Sequence, residues 1–437
     1  MKTLFAQTRS FPAPVRLLMV NQFAINLAFY MLMPYLAAHL SGELGLAAWT
    51  VGLVLGVRNL SQQGMFLIGG TIADRLGYKA PIMAGCVLRT LGFALLGWVD
   101  SLPALLVASA ATGFAGALFN PAVRAYLAVE AGERRVDAFA TFNVYYQAGM
   151  LLGPLVGLAL LAADFRLVCT VSAAIFAALS VMQARALPRR YGADAEDRAE
   201  TTEDGAGADE GHKKKRAAAG VWAQWRQVAA NRPFLLFSAA MIGSYVLTFQ
   251  VYLALPLAAD AALGADSTKA TSGLFVISAG VAVAGQLRLT GWAKRRFTSQ
   301  QALVVGLCAM GAAFLPLALA PSSSAPAVLG ALVAAVALLA AAGAVVYPFE
   351  MDTVVALSGQ KLIATHYGLY NTVSGLGITL GNLACGALWD YAHAHGAAWL
   401  VWLTLAATGV GCAAAVAVLA RAGRLTAPGQ TPQPSTA

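Results

Sequence analysis

Long apolar runs, separated by short polar breaks, recur along the chain from Val15 to Arg421. A helix needs about 20 apolar residues to cross the ~30 Å hydrocarbon core of a bilayer, whereas a membrane-spanning strand needs only about ten residues of alternating polarity. The runs have the helical length and do not alternate, so they predict an all-α integral membrane protein of about twelve transmembrane helices. The predicted spans are 15–40, 50–73, 80–98, 102–127, 139–162, 166–187, 233–258, 270–293, 299–319, 326–350, 367–390 and 397–420.

The basic residues are distributed unevenly between the two sets of loops. The chain is 59% hydrophobic, only 11% charged, and carries a net charge of +9. With a cytoplasmic N-terminus, the loop lysines and arginines fall on the cytoplasmic side, and only Arg166 and Lys269 fall outside. This asymmetry predicts a multi-pass protein of the inner (plasma) membrane with both termini in the cytoplasm. The basic balance is thus explained by the lipid bilayer, and we expect no nucleic-acid partner.

One long polar stretch divides the chain. It contains an acidic run over 194–210 and a basic run over 213–216, which are typical of a flexible linker. Apolar residues at 221, 222, 225 and 228 then predict a short amphipathic helix on the membrane surface. The predicted domains are an N-terminal six-helix bundle at 1–187, a cytoplasmic linker at 188–232, a C-terminal six-helix bundle at 233–420 and a cytoplasmic tail at 421–437.

The two halves repeat each other weakly. Tyr30 and Pro34 recur about 222 residues later, Pro121 about 227 residues later, and the first glycines of the fifth span about 228 residues later. Similar offsets in three separate places favour a duplication of six helices. The repeated pairs are Tyr30 with Tyr252, Pro34 with Pro256, Pro121 with Pro348, Asn143 with Asn371, Gly149 with Gly377 and Gly153 with Gly381.

The loop between the second and third spans carries the sequence GTIADRLGYK, from Gly70 to Lys79. It resembles the Gly-x-x-x-Asp-Arg-x-Gly-x-Lys pattern of the major facilitator superfamily, with Asp74, Arg75 and Gly77 at the matching positions. A glycine at position 70 permits close approach of a neighbouring helix, and Gly77 permits a tight turn. The alternative is that Asp74 and Arg75 are ordinary loop charges that set the topology.

The resemblance implies that Asp74 belongs to a gate. A carboxylate near a helix C-terminus is disfavoured by the helix dipole, so Asp74 needs a partner such as another helix N-terminus or an arginine. In the superfamily that partner belongs to the opposite half, and the contact breaks as the protein alternates. Arg124, at a similar depth in the fourth span, is the candidate for a second contact.

The fifth span contains Gly149, Gly153, Pro154 and Gly157. This spacing resembles the antiporter signature of the same superfamily, Gly-x-x-x-Gly-Pro-x-x-Gly, and implies an exporter. The eleventh span keeps two of the glycines but has Asn382 in place of the proline. The alternative interpretation is a general packing face of small residues.

Three further segments resemble the MdtH-like branch of the drug:proton antiporters. They are GVRNLSQQG at 56–64, FNP at 119–121 and DFRLVC at 164–169. The resemblance to the superfamily covers nearly the whole chain and implies two six-helix bundles that move by alternating access.

Two arginines lie deep within predicted spans. Arg58 and Arg89 are each about nine residues from a span end, or ~14 Å at ~1.5 Å per residue. Charge at that depth costs at least ~2.5 kcal/mol, which favours a function, although Arg89 could simply bond to backbone carbonyls. Gln62 lies one turn from Arg58 on the same face. Other candidates to line a substrate cavity are Asn26, Tyr30, Tyr145, Tyr146, Tyr245, Gln250, Tyr370 and Asn371.

Acidic residues are nearly absent from the spans, and Glu350 is the exception. Glu350 and Asp74 are therefore the candidates for proton coupling. A transporter of cationic drugs needs a buried carboxylate for its cargo, so buried arginines without buried acids favour neutral or anionic amphiphiles.

No pattern predicts an enzyme. A phosphate-binding loop is missing, so transport would be driven by an ion gradient, and the glycines at 375–381 lie in an apolar run with no strand before them. The five cysteines have neither metal nor disulfide spacing. We expect no cofactor and no metal; the partners would be a small-molecule substrate, protons and lipid, and the protein would act as a monomer.

The leading hypothesis is proton-coupled export of small amphipathic compounds. Uptake of an organic anion or nutrient with protons is one alternative, suggested by Arg58 and the missing acids. A membrane receptor that binds its ligand without moving it is the other.

Overall fold

The computed structural model describes residues 2–188, 210–321 and 324–425, and the regular structure within these ranges is helical. Residues 189–209 of the predicted linker and residues 426–437 of the predicted tail lie outside the described residues. Most of the acidic run therefore lies outside them as well.

The helices follow the apolar runs, because a backbone in lipid must satisfy its hydrogen bonds internally. Those before the linker are α1 Lys2–Arg9, α2 Ala13–Gly42, α3 Ala48–Gly64, α4 Phe66–Leu76, α5 Lys79–Trp98, α6 Leu102–Ala131, α7 Arg135–Leu161 and α8 Phe165–Ala186. Those from the linker onward are α9 Glu210–Ala230, α10 Arg232–Phe249, α11 Ala254–Leu263, α12 Ser267–Arg296, α13 Ser299–Ala312, α14 Leu315–Leu319, α15 Ala325–Leu357, α16 Ile363–Ala394 and α17 Trp399–Arg421.

Ten segments of the described chain are long and apolar enough to cross a membrane. One of them, Leu102–Leu161, contains both α6 and α7, which are joined by a short turn where Gly132 has a φ of 52°. The pair α3 and α4 is broken at Met65 and makes one further crossing over 48–76. These helices account for the twelve crossings that the hydrophobic pattern predicts.

The seventh crossing departs from a single straight helix. It consists of α10 and α11 with a 3-10 turn, Gln250–Tyr252, between them. Pro256 cannot donate a backbone hydrogen bond to Tyr252, and its ring would clash with that carbonyl group. The break therefore lies one turn before the proline.

Glycines set a close helix contact in the N-terminal half, between α7 and α2. A Cβ atom at Gly149 would lie 2.5 Å from the Phe23 carbonyl oxygen, and one at Gly153 would lie 2.7 Å from Tyr30 Cβ. Gly157 would overlap the Met31 carbonyl group in the same way. The three glycines thus form the stripe on which α2 lies.

The C-terminal half repeats this contact more loosely. Gly377 and Gly381 of α16 face Ile242 and Val246 of α10, the helices that correspond to α7 and α2. Their neighbours are side-chain methyl groups, whereas the neighbours of Gly149 and Gly157 include backbone atoms. The internal repeat is therefore visible in the packing, although the contact distances differ.

The two halves meet at one end of the molecule, which we call the inner end. It carries the turns at 77–78, 132–134 and 358–362. There α4 packs against α16, and α7 packs against α12 and α15. The N-terminal segment lies at this end, because Arg134 donates hydrogen bonds to Ser10. The end of the linker also lies at the inner end, since Asn231 donates a hydrogen bond to the Leu357 carbonyl oxygen.

The linker helix α9 lies on the inner end of α4. Trp225 donates a 2.8 Å hydrogen bond to Thr71, and Arg75 donates a 3.1 Å hydrogen bond to Gln224. Val221 and Trp225 also line a small apolar pocket with Ile68 and Ile72. Gln224 is thus buried against the protein together with apolar residues of this helix.

Candidate functional site

Asp74 lies at the inner end of α4, opposite the first turn of α16. Its carboxylate accepts hydrogen bonds from the Ala364 and Thr365 amides, at 3.1 and 2.7 Å, and a third from the Thr365 hydroxyl at 2.6 Å. The side chain is 4% exposed. A helix N-terminus has unpaired N–H groups and partial positive charge, so it is the kind of partner that Asp74 requires.

Glycine allows this approach. A Cβ atom at Gly70 would lie 2.7 Å from the Ala364 carbonyl carbon and 2.9 Å from Thr365 Cα, so only glycine fits against the start of α16. Gly77 ends α4 with a φ of 79°. Lys79 begins α5 and donates a 2.8 Å hydrogen bond to the Ala184 carbonyl oxygen near the end of α8.

Arg124 lies deeper in α6 and also reaches across to the other half. Its guanidinium donates a 2.8 Å hydrogen bond to Asn371 Oδ1 on α16, and Tyr347 of α15 lies beside it. The hydrogen bond described for Arg124 is thus with Asn371 and not with Asp74, the partner expected from sequence. Both arrangements join the same pair of halves.

Two ion pairs add to the contact between the halves at the inner end. Arg135 Nε is 2.7 Å from Asp352, and Lys294 Nζ is 2.8 Å from Asp137. In the sequence these four residues look like ordinary loop charges. The one signal for pairing is that residues of opposite charge lie at the inner ends of helices in opposite halves.

A further polar contact continues the interface beneath the ion pairs. Asn143 of α7 donates a 2.7 Å hydrogen bond to Gln286 of α12. Gln286 in turn donates to the Ala344 carbonyl oxygen of α15 at 2.6 Å. The contact between α7 and the C-terminal half therefore extends from the loop into the membrane-spanning part of the helices.

Glu350 lies on α15 at the interface between the halves. It is 4% exposed, and together with Asp74 it is one of two carboxylates that are buried among the described residues. Tyr370 of α16 donates a hydrogen bond to Glu350 Oε1, and Tyr245 of α10 lies beside the same carboxyl group. Arg124 of the opposite half is close enough to interact with its charge. Four predicted residues are thus brought together: Glu350, Arg124, Tyr245 and Tyr370.

The helix α7 signature lies against α2 rather than in an open cavity. Its glycines face α2, and the Pro154 carbonyl oxygen accepts a 2.6 Å hydrogen bond from the Tyr35 hydroxyl. Asn26 lies in this contact, where it donates a 2.7 Å hydrogen bond to the Gln22 carbonyl oxygen and is buried beside Gly149. The signature therefore fixes the position of α7 relative to α2.

Arg58 and Arg89 both lie over the ring of Phe29, with guanidinium carbons 5.2 and 5.0 Å from its centre. Arg89 also lies 5.5 Å from the ring centre of Phe176. Gln62 lies beside Arg89, because both side chains contact the space above Gly116. The structure therefore brings three predicted cavity residues together in the N-terminal half.

Tyrosines extend this group towards the other half. Tyr30 and Tyr146 lie beside each other, and both are close to Arg89. Tyr252 of the C-terminal half lies near both tyrosines. The repeated residues Tyr30 and Tyr252 thus lie close to each other across the interface.

Two predicted cavity residues have other surroundings. Tyr145 makes a 3.2 Å hydrogen bond with Thr8 of α1, at the inner end. Gln250 is fully buried and donates to Asn382 at 3.3 Å, within the C-terminal half. Depth in the span suggested a cavity position for both, but depth does not specify the direction of a side chain around its helix.

The described residues contain no group of three or more histidine, cysteine or acidic side chains that could hold a metal ion. The cysteines among them are all unpaired. The acidic and basic side chains that are buried among the described residues are Asp74, Arg89, Glu350 and His366.

Residues 18–382 match the family model described as Major Facilitator Superfamily. An uncharacterized MFS-type transporter of Mycobacterium tuberculosis is 52% identical over 406 residues, or 92% of each chain. The multidrug resistance protein MdtH of Klebsiella pneumoniae (strain 342) is 28% identical over 394 residues, or 90% of each chain.

Two solved structures resemble the fold at 16% sequence identity. The human organic anion transporter MFSD10 has a TM-score of 0.68, covering 92% of this chain and 99% of that one. The peptide transporter POT has a TM-score of 0.65, covering 97% and 99%. These two likenesses concern the fold alone.

Proposed function

The chain belongs to the Major Facilitator Superfamily and is a transporter of that family, and from this premise we propose that it exports small amphipathic compounds in exchange for protons. The observation that carries the proposal is the position of Glu350. It is a buried carboxyl group at the interface between the halves, between two tyrosines of its own half and Arg124 of the other.

The direction of transport is inferred from two features. The α7 residues Gly149, Gly153, Pro154 and Gly157 match the antiporter signature, and they hold α7 tightly on α2. The relatives at 28% identity include proteins named multidrug resistance protein MdtH. Both features support export over uptake.

Protonation of Glu350 would couple proton movement to the opening of the inner end. In the charged form, the carboxylate attracts Arg124 across the interface and favours contact between the halves. A proton on Glu350 removes that attraction. Asp74, the other candidate carrier, accepts three hydrogen bonds from α16 and is assigned to the gate instead.

The cycle follows from these contacts. With the inner end closed, Glu350 takes a proton from the outside, the contacts of Asp74 and Arg124 break, and the inner end opens. The proton leaves to the cytoplasm and the substrate binds, after which the charged Glu350 favours closure again. Each turn moves one substrate out and protons in, with the two bundles at 1–187 and 233–420 as the moving units.

The setting of the protein belongs to the same proposal. The inner end carries the loops rich in arginine and lysine, so it faces the cytoplasm, and both termini lie on that side of the inner membrane. Each chain contains both halves and a complete interface between them. We therefore assign transport to the monomer.

Glu350→Gln tests the proposal in proteoliposomes that contain a pH-sensitive dye. Amphipathic compounds applied as a gradient should drive protons in the opposite direction through the wild-type protein. The variant keeps the size and most hydrogen bonds of the side chain but cannot take up a proton. We expect it to lose compound-driven proton movement and to retain exchange of labelled for unlabelled compound across the membrane. Glu133→Gln, in an exposed inner loop, is the matched control.

Three results would contradict the proposal. Movement of protons and compound in the same direction would mean uptake. Binding without any flux would mean a receptor. Unchanged proton exchange in Glu350→Gln would assign coupling to another residue.

A further inference from the structure

The two arginines of the N-terminal half converge on one aromatic ring. Both guanidinium carbons lie within 5.2 Å of the centre of Phe29, although Arg58 belongs to α3 and Arg89 to α5. Their charges are close enough to oppose each other. Two cations in a membrane interior need a negative partner, since each alone already costs at least ~2.5 kcal/mol.

The chain does not supply that partner among its described residues. The ion pairs that the structure describes involve other cations. Arg89 is 7% exposed, and its Nε atom has no hydrogen-bond partner. A buried guanidinium N–H without an acceptor is costly, so the site is incomplete as it stands.

The surroundings of the pair offer a further hydrogen-bond donor. Gly116 lets the Gln62 amide and the Arg89 guanidinium pack closely together on α6, since a Cβ atom there would lie only 3.0 Å from Gln62 Cδ and 3.1 Å from Arg89 Nη2. Arg58 is only partly buried and donates a hydrogen bond to Asn59, which is exposed, so one side of the pair is accessible. A ligand could therefore reach Arg89 past Arg58.

A purely structural role explains less. Contact of an arginine with an aromatic ring contributes about 0.5–2 kcal/mol, which does not exceed the cost of burying the charge. It also leaves the Nε atom of Arg89 without an acceptor and does not offset repulsion between the two arginines. An anion between the two arginines would offset the cost of burying their charges, accept a hydrogen bond from Arg89 Nε and reduce the repulsion between them.

We propose that Arg58 and Arg89 bind the anionic group of the transported substrate, and that the substrate is an organic anion with an apolar body. This inference rests on the proposed transport function and names its substrate class. Phe29 and Phe176 contact the apolar part next to the charge, and Gln62 donates to the anionic group. The anion then binds in the N-terminal half, while the proton binds at Glu350 in the C-terminal half.

Binding to the protein in lipid nanodiscs tests the substrate class. The probes are three compounds with one apolar body and different head groups: 4-phenylbutane-1-sulfonate, 4-phenylbutan-1-ol and trimethyl(4-phenylbutyl)ammonium, together with the naphthyl and octyl sulfonate and alcohol pairs. A hydrogen bond to a charged group contributes about 1.5–3 kcal/mol, so the sulfonates should bind about 10- to 100-fold more tightly than the matched alcohols. Empty nanodiscs correct for partition into lipid.

Variants locate the effect. Arg58→Gln and Arg89→Gln should each reduce sulfonate affinity about tenfold or more, while alcohol affinity stays the same. Arg89→Lys keeps the charge and should restore part of the loss, which a structural defect would not allow. Arg166→Gln is the matched control, because Arg166 also lies over an aromatic ring, that of Trp98, but at the other end of the molecule.

The inference is overturned if no sulfonate binds more tightly than its alcohol, or if both glutamine variants bind sulfonates like the wild type. Neither result depends on proton movement. If the sulfonate preference is missing but neutral compounds still drive proton exchange, the export proposal stands and the anion site is refuted. If the sulfonate preference is present but no compound drives proton exchange, export is refuted and the anion site stands.

Discussion

Asp74 provides from one half of the molecule the cap that α16 lacks in its own half. The residue before α16 is Leu362, which has a positive φ of 48° and no side-chain oxygen with which to cap the helix. The Asp74 carboxylate accepts the Ala364 and Thr365 amides instead. This helix N-terminus and this carboxylate stabilise each other only while the halves are in contact, so in the proposed cycle the cap also acts as the gate.

Asp74→Asn should abolish transport and leave the fold intact. The amide has no charge, so the hydrogen bonds to α16 lose the charge-assisted part of their roughly 1.5–3 kcal/mol each. Flux in proteoliposomes measures the first effect, and the melting temperature in detergent measures the second. Asp266→Asn, in an exposed ion pair with Lys269, is the control. Wild-type flux from Asp74→Asn would refute the gate.

The buried charged residues can be identified from the sequence more readily than the side chains that they contact. Asp74 and Glu350 stand out because acids are rare in the spans, and Arg58 and Arg89 because charge in lipid is costly. Which residue meets which depends on the rotation of each helix about its axis, which depth alone does not define. For that reason the partner of Arg124 was expected to be Asp74, although Asn371 accepts its hydrogen bond.

At the scale of helices, the contact of α7 with α2 and the equivalent contact of α16 with α10 differ in how much added volume they can accommodate. Gly149 faces the backbone of α2, with a carbonyl oxygen as the nearest atom. Gly381 faces Val246 side-chain methyl groups of α10. A side chain can move aside by rotation, whereas a backbone carbonyl group within a helix cannot. The N-terminal contact is therefore the more rigid of the two.

Gly149→Ala should destabilise the protein more than Gly381→Ala. Overpacking against backbone costs about 1–3 kcal/mol, while the Val246 contact can relax. Melting temperatures of both variants in the same detergent, with Gly386→Ala as a control in open space, measure the difference. Equal losses for Gly149→Ala and Gly381→Ala would mean that the two halves pack alike.

At the scale of the whole molecule, the helices were predictable because bilayer thickness sets the length of each spanning helix, and the apolar runs of that length can be counted in the sequence. The break in the seventh crossing and the position of α9 were not predicted, since they depend on Pro256 and on a specific contact with α4. The closed inner end was also beyond prediction. Closure of the inner end depends on contacts between residues hundreds of positions apart, such as the ion pair of Arg135 with Asp352. In the sequence each of these residues looks like an ordinary loop charge.

The described hydrogen bonds and ion pairs between the halves lie toward the inner end. They run from Asp74 and the two ion pairs to Arg124 with Asn371 and Asn143 with Gln286. In the proposed alternating-access cycle this arrangement is the inside-closed state. Opening the inner end requires that all of them break, which makes that end the site of control.

Distances between spin labels at the two ends test this account most directly. In a variant without its native cysteines, labels on Glu133→Cys with Gln301→Cys report on the inner end, and labels on Asp164→Cys with His393→Cys report on the outer end. We predict that acidification lengthens the inner distance while the outer distance shortens, and that Asp74→Asn shifts both distances in the same way without acidification. Distances that stay fixed, or that lengthen together at both ends, would contradict alternating access controlled by Asp74.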